Sequence, residues 1–368
     1  MKAAIKYMAV MVFLISCSQK EKKPAVKTLP QKIDSLFAAV PDFSGVVLVA
    51  EKGKPIYHKA FGFANRETKQ SLDTTSIFEL ASVSKQFTAM LIAILKEDGK
   101  LNYDDAIGKY LPGLPYKGIT IRHLLNHTSG LPDYQKLMDE NWDKSKVATN
   151  EDILFYLKKF HPLILFKPGE KYEYSNTGYV LLGSIVEEAS GQEFVGYCRE
   201  KIFNPIGMTS TNIRAKKEKD AMVNFALGYI YVPEKNNYVR ADSFPSSNYT
   251  IWLGGRKGPG RISSTTSDLL RWDRALYAEK LVDSKTMKEQ FSAAKLNDGA
   301  SSHYGFGWMV RSDSVLGKVV YHTGDNPGYK TEILRYLDQD KTIIILCNNA
   351  HSKFNELVNE VEHLFVKQ

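Results

Sequence analysis

The sequence predicts an α/β (α+β) fold. Three observations carry this. Short β-branched runs lie near the start of the chain, further runs lie near its end, and helical patterns broken by Pro and Gly fill the middle. Strands at both ends with helices between them imply one sheet assembled from both termini, around an inserted, mostly helical region.

In order, Ile33-Asp34-Ser35-Leu36-Phe37 has helical spacing and stops before Pro41. Gly45 to Ala50 reads as a strand, Gly53 as the turn after it, and Ile56 to Ala60 as the returning strand of a hairpin. Ser82 opens a long helix in which Phe87, Met90, Leu91, Ile94 and Leu95 share one face, and Gly99 ends it. Ile153 to Phe160, Tyr179 to Ala189 and Leu269 to Ala278 are further helices, the last capped within Thr265 to Asp268. Gly305 to Val310, Val319 to Tyr321, Glu332 to Leu337 and Thr342 to Cys347 read as strands. Asn355 to Val366 is an amphipathic terminal helix. The division expected is a sheet subdomain of residues 31–80 plus 291–368 and a helical insertion of residues 81–290.

The 368 residues, 43% hydrophobic with 20 Tyr and 18 Phe, suffice for a large core. Of the net charge of +8, Lys2 and Lys6 contribute two. Residues 18–30, with four lysines against Glu21, contribute three, so the remainder carries only +3. That excludes an electrostatic case for nucleic-acid binding. The first residues read as an export signal: a basic start, then a Met8–Ile15 apolar run too short to span a bilayer. Leu14-Ile15-Ser16-Cys17 resembles a bacterial lipobox. This implies a signal peptide over residues 1–16, a lipid on Cys17, a tether over 17–30, and a membrane-anchored protein of the cell envelope. Cys198 and Cys347 read as buried free thiols.

Three motifs carry chemistry. Ser82-Val83-Ser84-Lys85 puts a hydroxyl and an amine on one helix face, the arrangement for a serine nucleophile with an adjacent base. Ser292-Ala293-Ala294-Lys295 repeats the spacing. Tyr174-Ser175-Asn176 supplies a phenol for proton relay and an amide for a carbonyl. His322-Thr323-Gly324 follows a strand, and its glycine would let a ligand approach closely; His303-Tyr304-Gly305 is a rival that precedes one. His123 and His127, four apart, lack the Glu and third ligand of a metal site. Gly255–Gly260 lacks the Lys-Ser/Thr of a phosphate loop and reads as a turn near the site mouth. No metal or other cofactor is expected.

In that order, Ser-x-x-Lys, Tyr-x-Asn and His-x-Gly resemble the serine β-lactamase and penicillin-binding protein superfamily, in its class C and D,D-peptidase-like branch. Phe78–Ala81, Leu124–Pro132 and Gly260–Thr265 extend the likeness, which covers about residues 31–366. The order selects Ser82 over Ser292. The resemblance implies an antiparallel sheet flanked by terminal helices. It implies Ser82 as nucleophile, Lys85 and Tyr174 as base and relay, and Asn176, His322, Thr323 and Gly324 as substrate contacts. Backbone N–H groups of Ser82 and Asp325 would form the oxyanion hole. Substrates would be D-amino-acid peptides, small esters or amides, β-lactams, or peptidoglycan-type material; the alternative is a penicillin-binding or sensor-like protein that turns over slowly or not at all. Where the family's β-lactamases carry Lys, this chain carries His322, mostly neutral at pH 7, which weakens the grip expected on a carboxylate.

Overall fold

The computed structural model describes residues 27–366. The expected signal segment, the expected lipid site Cys17 and the expected tether up to residue 26 lie outside them. No helix among the described residues is long and apolar enough to cross a membrane.

Six antiparallel strands form the main sheet, in the order Met309–Asp313, Gly317–Asn326, Tyr329–Tyr336, Lys341–Cys347, Gly45–Glu51, Lys54–Phe61. The last strand of the chain pairs with the first, Gly45 opposite Cys347 and Glu51 opposite Lys341. The two central strands are buried on both faces, which is why Val46–Val49 and Ile343–Leu346 are unbroken apolar runs and not alternating ones.

Successive side chains point to opposite faces. Val47, Val49, Leu334, Ile343 and Ile345 meet the two terminal helices, Leu29–Ala38 and Phe354–Val366. Val46, Leu48, Val320, Ile333, Ile344 and Leu346 join the larger core beneath the helical region. At the heart of that core is the helix Lys85–Glu97, in which Lys85 through Leu95 are all buried. A helix apolar on most faces has to be enclosed. Its polar members are partly satisfied: Gln86 Oε1 accepts from Trp272 Nε1 at 2.9 Å while its Nε2 has no partner among the described residues, and Thr88 Oγ1 donates to Gly258 O at 2.8 Å. Gly99, at φ +70°, stops it.

The structure changes five boundaries. The first helix starts at Leu29, inside the expected tether, because Gln31 Oε1 accepts from Thr28 N and caps it. Ser82 lies in a single 3-10 turn, Ala81–Ser84, and the α-helix starts at Lys85. Gly305–Trp308 is not a strand: Gly307 takes φ +75°, Gly305 N donates to Trp308 O at 2.8 Å, and the strand begins only at Met309. His322-Thr323-Gly324 lies inside the strand Gly317–Asn326, not in a turn after it. The middle region also holds β structure, a hairpin of Tyr229–Val232 with Asn237–Arg240 and a short strand, Ile262–Ser264. Thr265 caps the helix Thr266–Tyr277 by accepting from Asp268 N at 3.1 Å. Cys198 and Cys347 are free and buried.

Candidate active site

The turn bearing Ser82 is held in an uncommon conformation. Ala81 has φ +48°, a left-handed geometry that costs a non-glycine residue about 1–3 kcal/mol. Its surroundings enforce it. Leu80 N donates to Ile262 O at 2.8 Å, Leu80 O accepts from Thr331 Oγ1 at 2.7 Å, and Ser84 Oγ accepts from Ile262 N at 3.2 Å. Gly324 fits here because any Cβ would fall on Leu80 O and on Thr331 Oγ1. The third motif therefore lies directly against the Ser82 turn.

Lys85 Nζ lies 3.0 Å from Ser82 Oγ, 2.8 Å from Asn176 Oδ1 and 2.9 Å from Pro259 O. Burial, and then the charge of Arg256, push its pKa well below that of an ordinary lysine. A neutral amine has two N–H groups and one lone pair. Asn176 Oδ1 and Pro259 O take the two N–H groups, so the lone pair faces the Ser82 hydroxyl. Ammonium in the same place donates to all three.

Tyr174 hydrogen-bonds Ser82 and lies over Lys85, whose Nζ is 4.8 Å from its ring centroid. Burial of its hydroxyl end raises its pKa, against the pull of Ser82, so it rests as a phenol. The residue as a whole is still 36% exposed. Ser175 caps the helix Asn176–Ser190, which places Asn176 at its first turn. Gly178 belongs to this helix.

His322 lies behind the nucleophile. Its Nδ1 is 2.6 Å from Thr323 O and its Nε2 is 2.8 Å from Tyr304 Oη. With Nδ1–H donating to the carbonyl, Nε2 accepts from the phenol. Burial first, then Lys85, lower its pKa to about 3, so the ring is neutral. The cleft outside Ser82 is lined by Ala81, Ser82, Asn176 and Asp325 with Tyr134, Arg256 and others, whereas His322, Thr323 and Gly324 do not line it. The structure thus brings Ser82, Lys85, Tyr174 and Asn176 into contact and sets His322 one layer back. The strand Met309–Asp313 pairs only as far as Tyr321, so residues 322–326, with Asp325 beside the cleft, form a free edge.

The second Ser-x-x-Lys is elsewhere in kind as well as place. Ser292 Oγ donates to Lys288 O at 2.6 Å, and both Ser292 and Lys295 are exposed. His123 and His127 do not share a helix face: the helix ends at Leu125, and His127 takes φ +59° beyond it. His123 Nδ1 accepts from Thr120 N, while His127 Nδ1 accepts from Ser175 N at 3.1 Å, its ring 4.2 Å from that of Tyr174. No metal-ligand cluster occurs among the described residues.

Several residues of the site escape motif reading. Tyr304, part of the rival His-x-Gly, anchors His322. His127 supports the Tyr-x-Asn loop. Pro259 and Gly258 act through carbonyls, which carry no residue-type signal; the glycine-rich run around them was the one trace. Glu79, buried, joins Arg261 at 3.4 Å and Lys219 beneath the cleft. Burial alone would raise its carboxyl; Arg261, Lys219 and Arg256 outweigh it and hold it at about 2.

The sequence pattern of the family described as Beta-lactamase matches residues 33–367. Penicillin-binding protein 4* of Bacillus subtilis (strain 168) is 42% identical over 329 residues, 89% of this chain and 73% of that protein. Among solved structures, the octameric penicillin-binding protein homologue from Pyrococcus abyssi superposes with a TM-score of 0.79 at 25% identity, over 92% of this chain and 77% of that one. The D-amino acid amidase from Ochrobactrum anthropi SV3 gives 0.74 at 25%, over 92% and 97%. The chain belongs to the Beta-lactamase family, within the serine β-lactamase and penicillin-binding protein superfamily, and is a serine hydrolase.

Proposed function

We propose that the protein hydrolyses D-amino-acid peptides, small esters or amides, or β-lactams through an acyl-enzyme on Ser82. The observation that carries this is the placement of Lys85 Nζ, 3.0 Å from Ser82 Oγ with its N–H groups engaged elsewhere. Ser82 Oγ attacks the carbonyl carbon and its proton passes to Lys85 Nζ. Oxygen charge on the tetrahedral intermediate is met by the N–H groups of Ser82 and Asp325; such a donor is worth about 3 kcal/mol. Asn176 Oδ1 accepts from Lys85 Nζ, which leaves the Asn176 NH2 to donate to a substrate carbonyl. As the intermediate collapses, Tyr174 donates its proton to the leaving group and is reprotonated from Lys85. Water then attacks the ester carbonyl by the reverse relay, giving its proton through Tyr174 and Lys85 and releasing Ser82. Tyr174, a phenol at rest, serves this role better than that of the first base.

The test pairs a fluorescent penicillin with p-nitrophenyl acetate, and Ser82→Ala protein as control. Ser82-dependent labelling or turnover is expected; its absence in both assays overturns the reading. D-amino-acid chemistry is supported by the amidase neighbour and peptidoglycan-type substrates by the penicillin-binding relatives. Placement in the bacterial envelope on a lipid anchor rests on Leu14–Cys17. Radiolabelled palmitate should label the full chain in a bacterial host and fail to label Cys17→Ala; equal labelling of both contradicts an anchor at Cys17.

A further inference from the structure

Arg256 lines the Ser82 cleft and forms no ion pair among the described residues; the buried carboxylate that feels its charge, Glu79, is itself paired with Arg261 and Lys219. The neighbouring cations are engaged: Arg261 and Lys219 with Glu79, and Lys330 with Asp325 at 4.0 Å. Arg256 Nη1 donates to Leu253 O at 3.1 Å, which fixes the guanidinium; its remaining N–H groups are left to the cleft. Around it stand neutral polar groups, Tyr134, Gln135, Tyr249 and Asn326, and the one acid lining the cleft, Asp325, is 78% exposed at its side chain. A mostly buried, unpaired guanidinium is costly unless something anionic completes it. His322 is no competitor, being neutral and bonded on both nitrogens.

We propose that Arg256 is the carboxylate-recognising residue of this cleft, selecting acyl donors that carry a carboxylate near the scissile bond. This rests on the Ser82 acyl-enzyme reading. The planar fork of Arg256 suits a carboxylate held in two hydrogen bonds, and the sheltered wall strengthens them. A peptide C-terminus and the carboxylate of a β-lactam present the same chemistry. Arg256 also acts on the base, since its charge lowers the pKa of Lys85.

The experiment uses two matched pairs: an N-acyl-D-alanyl-D-alanine against its C-terminal carboxamide, and benzylpenicillin against its methyl ester. Acylation or turnover rates are taken as the ratio of carboxylate to neutral partner, in wild type, Arg256→Gln and Arg256→Lys. In parallel, calorimetry measures binding of the same four compounds to Ser82→Ala protein with and without Arg256→Gln. The ratio should fall roughly 10- to 100-fold in Arg256→Gln for at least one pair, the pair affected identifying the carboxylate source, and Arg256→Lys should keep part of it. The affinity of Ser82→Ala protein for the carboxylate compound should fall by a similar factor. Unchanged ratios and affinities in folded variants overturn the proposal. Arg256-dependent binding without any Ser82-dependent reaction sustains it and overturns the hydrolase reading alone.

Discussion

At the scale of single residues, the proposed chemistry turns on Lys85. Its amine is useful only when neutral, and enclosure by the helix core and Arg256 makes that form accessible. Activity should therefore rise with pH through a Lys85 pKa lying below that of free lysine. Removing Arg256 removes a factor that lowers this pKa, so Arg256→Gln should move the acidic limb of kcat/KM to higher pH for every substrate. Lys85→Met should lower kcat by about 100- to 10,000-fold, the usual contribution of a positioned base, as measured by ester hydrolysis. A limb that stays put in Arg256→Gln would sever the link between them. Ser82, Lys85, Tyr174 and Asn176 were legible in the sequence, because side-chain chemistry at fixed spacing is what motifs record. The place of His322 was not. Spacing puts it after a strand and suggests a substrate contact, but its position depends on Tyr304, eighteen residues upstream, whose hydroxyl occupies its Nε2. Pro259, which orients Lys85 through a carbonyl, was invisible for a different reason: any residue has one.

At the scale of elements, the Ser82 turn and the third-motif strand form one unit. Gly324 is the joint. Gly324→Ala would drive a Cβ into Leu80 O and Thr331 Oγ1, with Ala81 Cβ at 3.2 Å, and backbone has little room to yield. Overpacking of this sort typically costs about 1–3 kcal/mol. Urea unfolding should show that loss, together with a fall in kcat as the turn shifts. An equally stable, equally active variant would mean that the strand does not set the turn. The elements themselves followed their patterns closely where burial and periodicity agree, as in Gly45–Glu51, Lys341–Cys347 and Phe354–Val366. They departed where backbone geometry overrides pattern. Gly307 interrupts an apolar stretch that reads as a strand, and the left-handed Ala81 splits what reads as one helix into a 3-10 turn and an α-helix.

At the scale of the whole molecule, both chain ends close the sheet, and the helices Leu29–Ala38 and Phe354–Val366 cover its outer face. That closure contains one costly group. Glu332, facing the terminal helix beside the Arg311–Glu362 pair (2.6 Å), has its pKa raised to about 8 by burial, against the pull of Arg311. The folded state thus favours the protonated acid. Its stabilising share is complete below the unfolded pKa near 4.5 and is lost as pH rises through 8. Glu332→Gln should therefore raise the melting temperature more at pH 8 than at pH 5, the gain in unfolding free energy being about 1–3 kcal/mol at the higher pH. An equal effect at both would show that Glu332 ionises freely. The overall architecture was readable because strands at both termini leave few alternatives. The small hairpin Tyr229–Arg240 was not, since its residues alternate too briefly to stand out from the helical segments around them.

The proposed mechanism requires that Ser82, and not the second Ser-x-x-Lys serine, carries the acyl group. Mass spectrometry of peptides from protein treated with a fluorescent penicillin tests it directly. The adduct is expected on the peptide containing Ser82 and should vanish in Ser82→Ala. An adduct on Ser292, or one that survives Ser82→Ala, would contradict this mechanism.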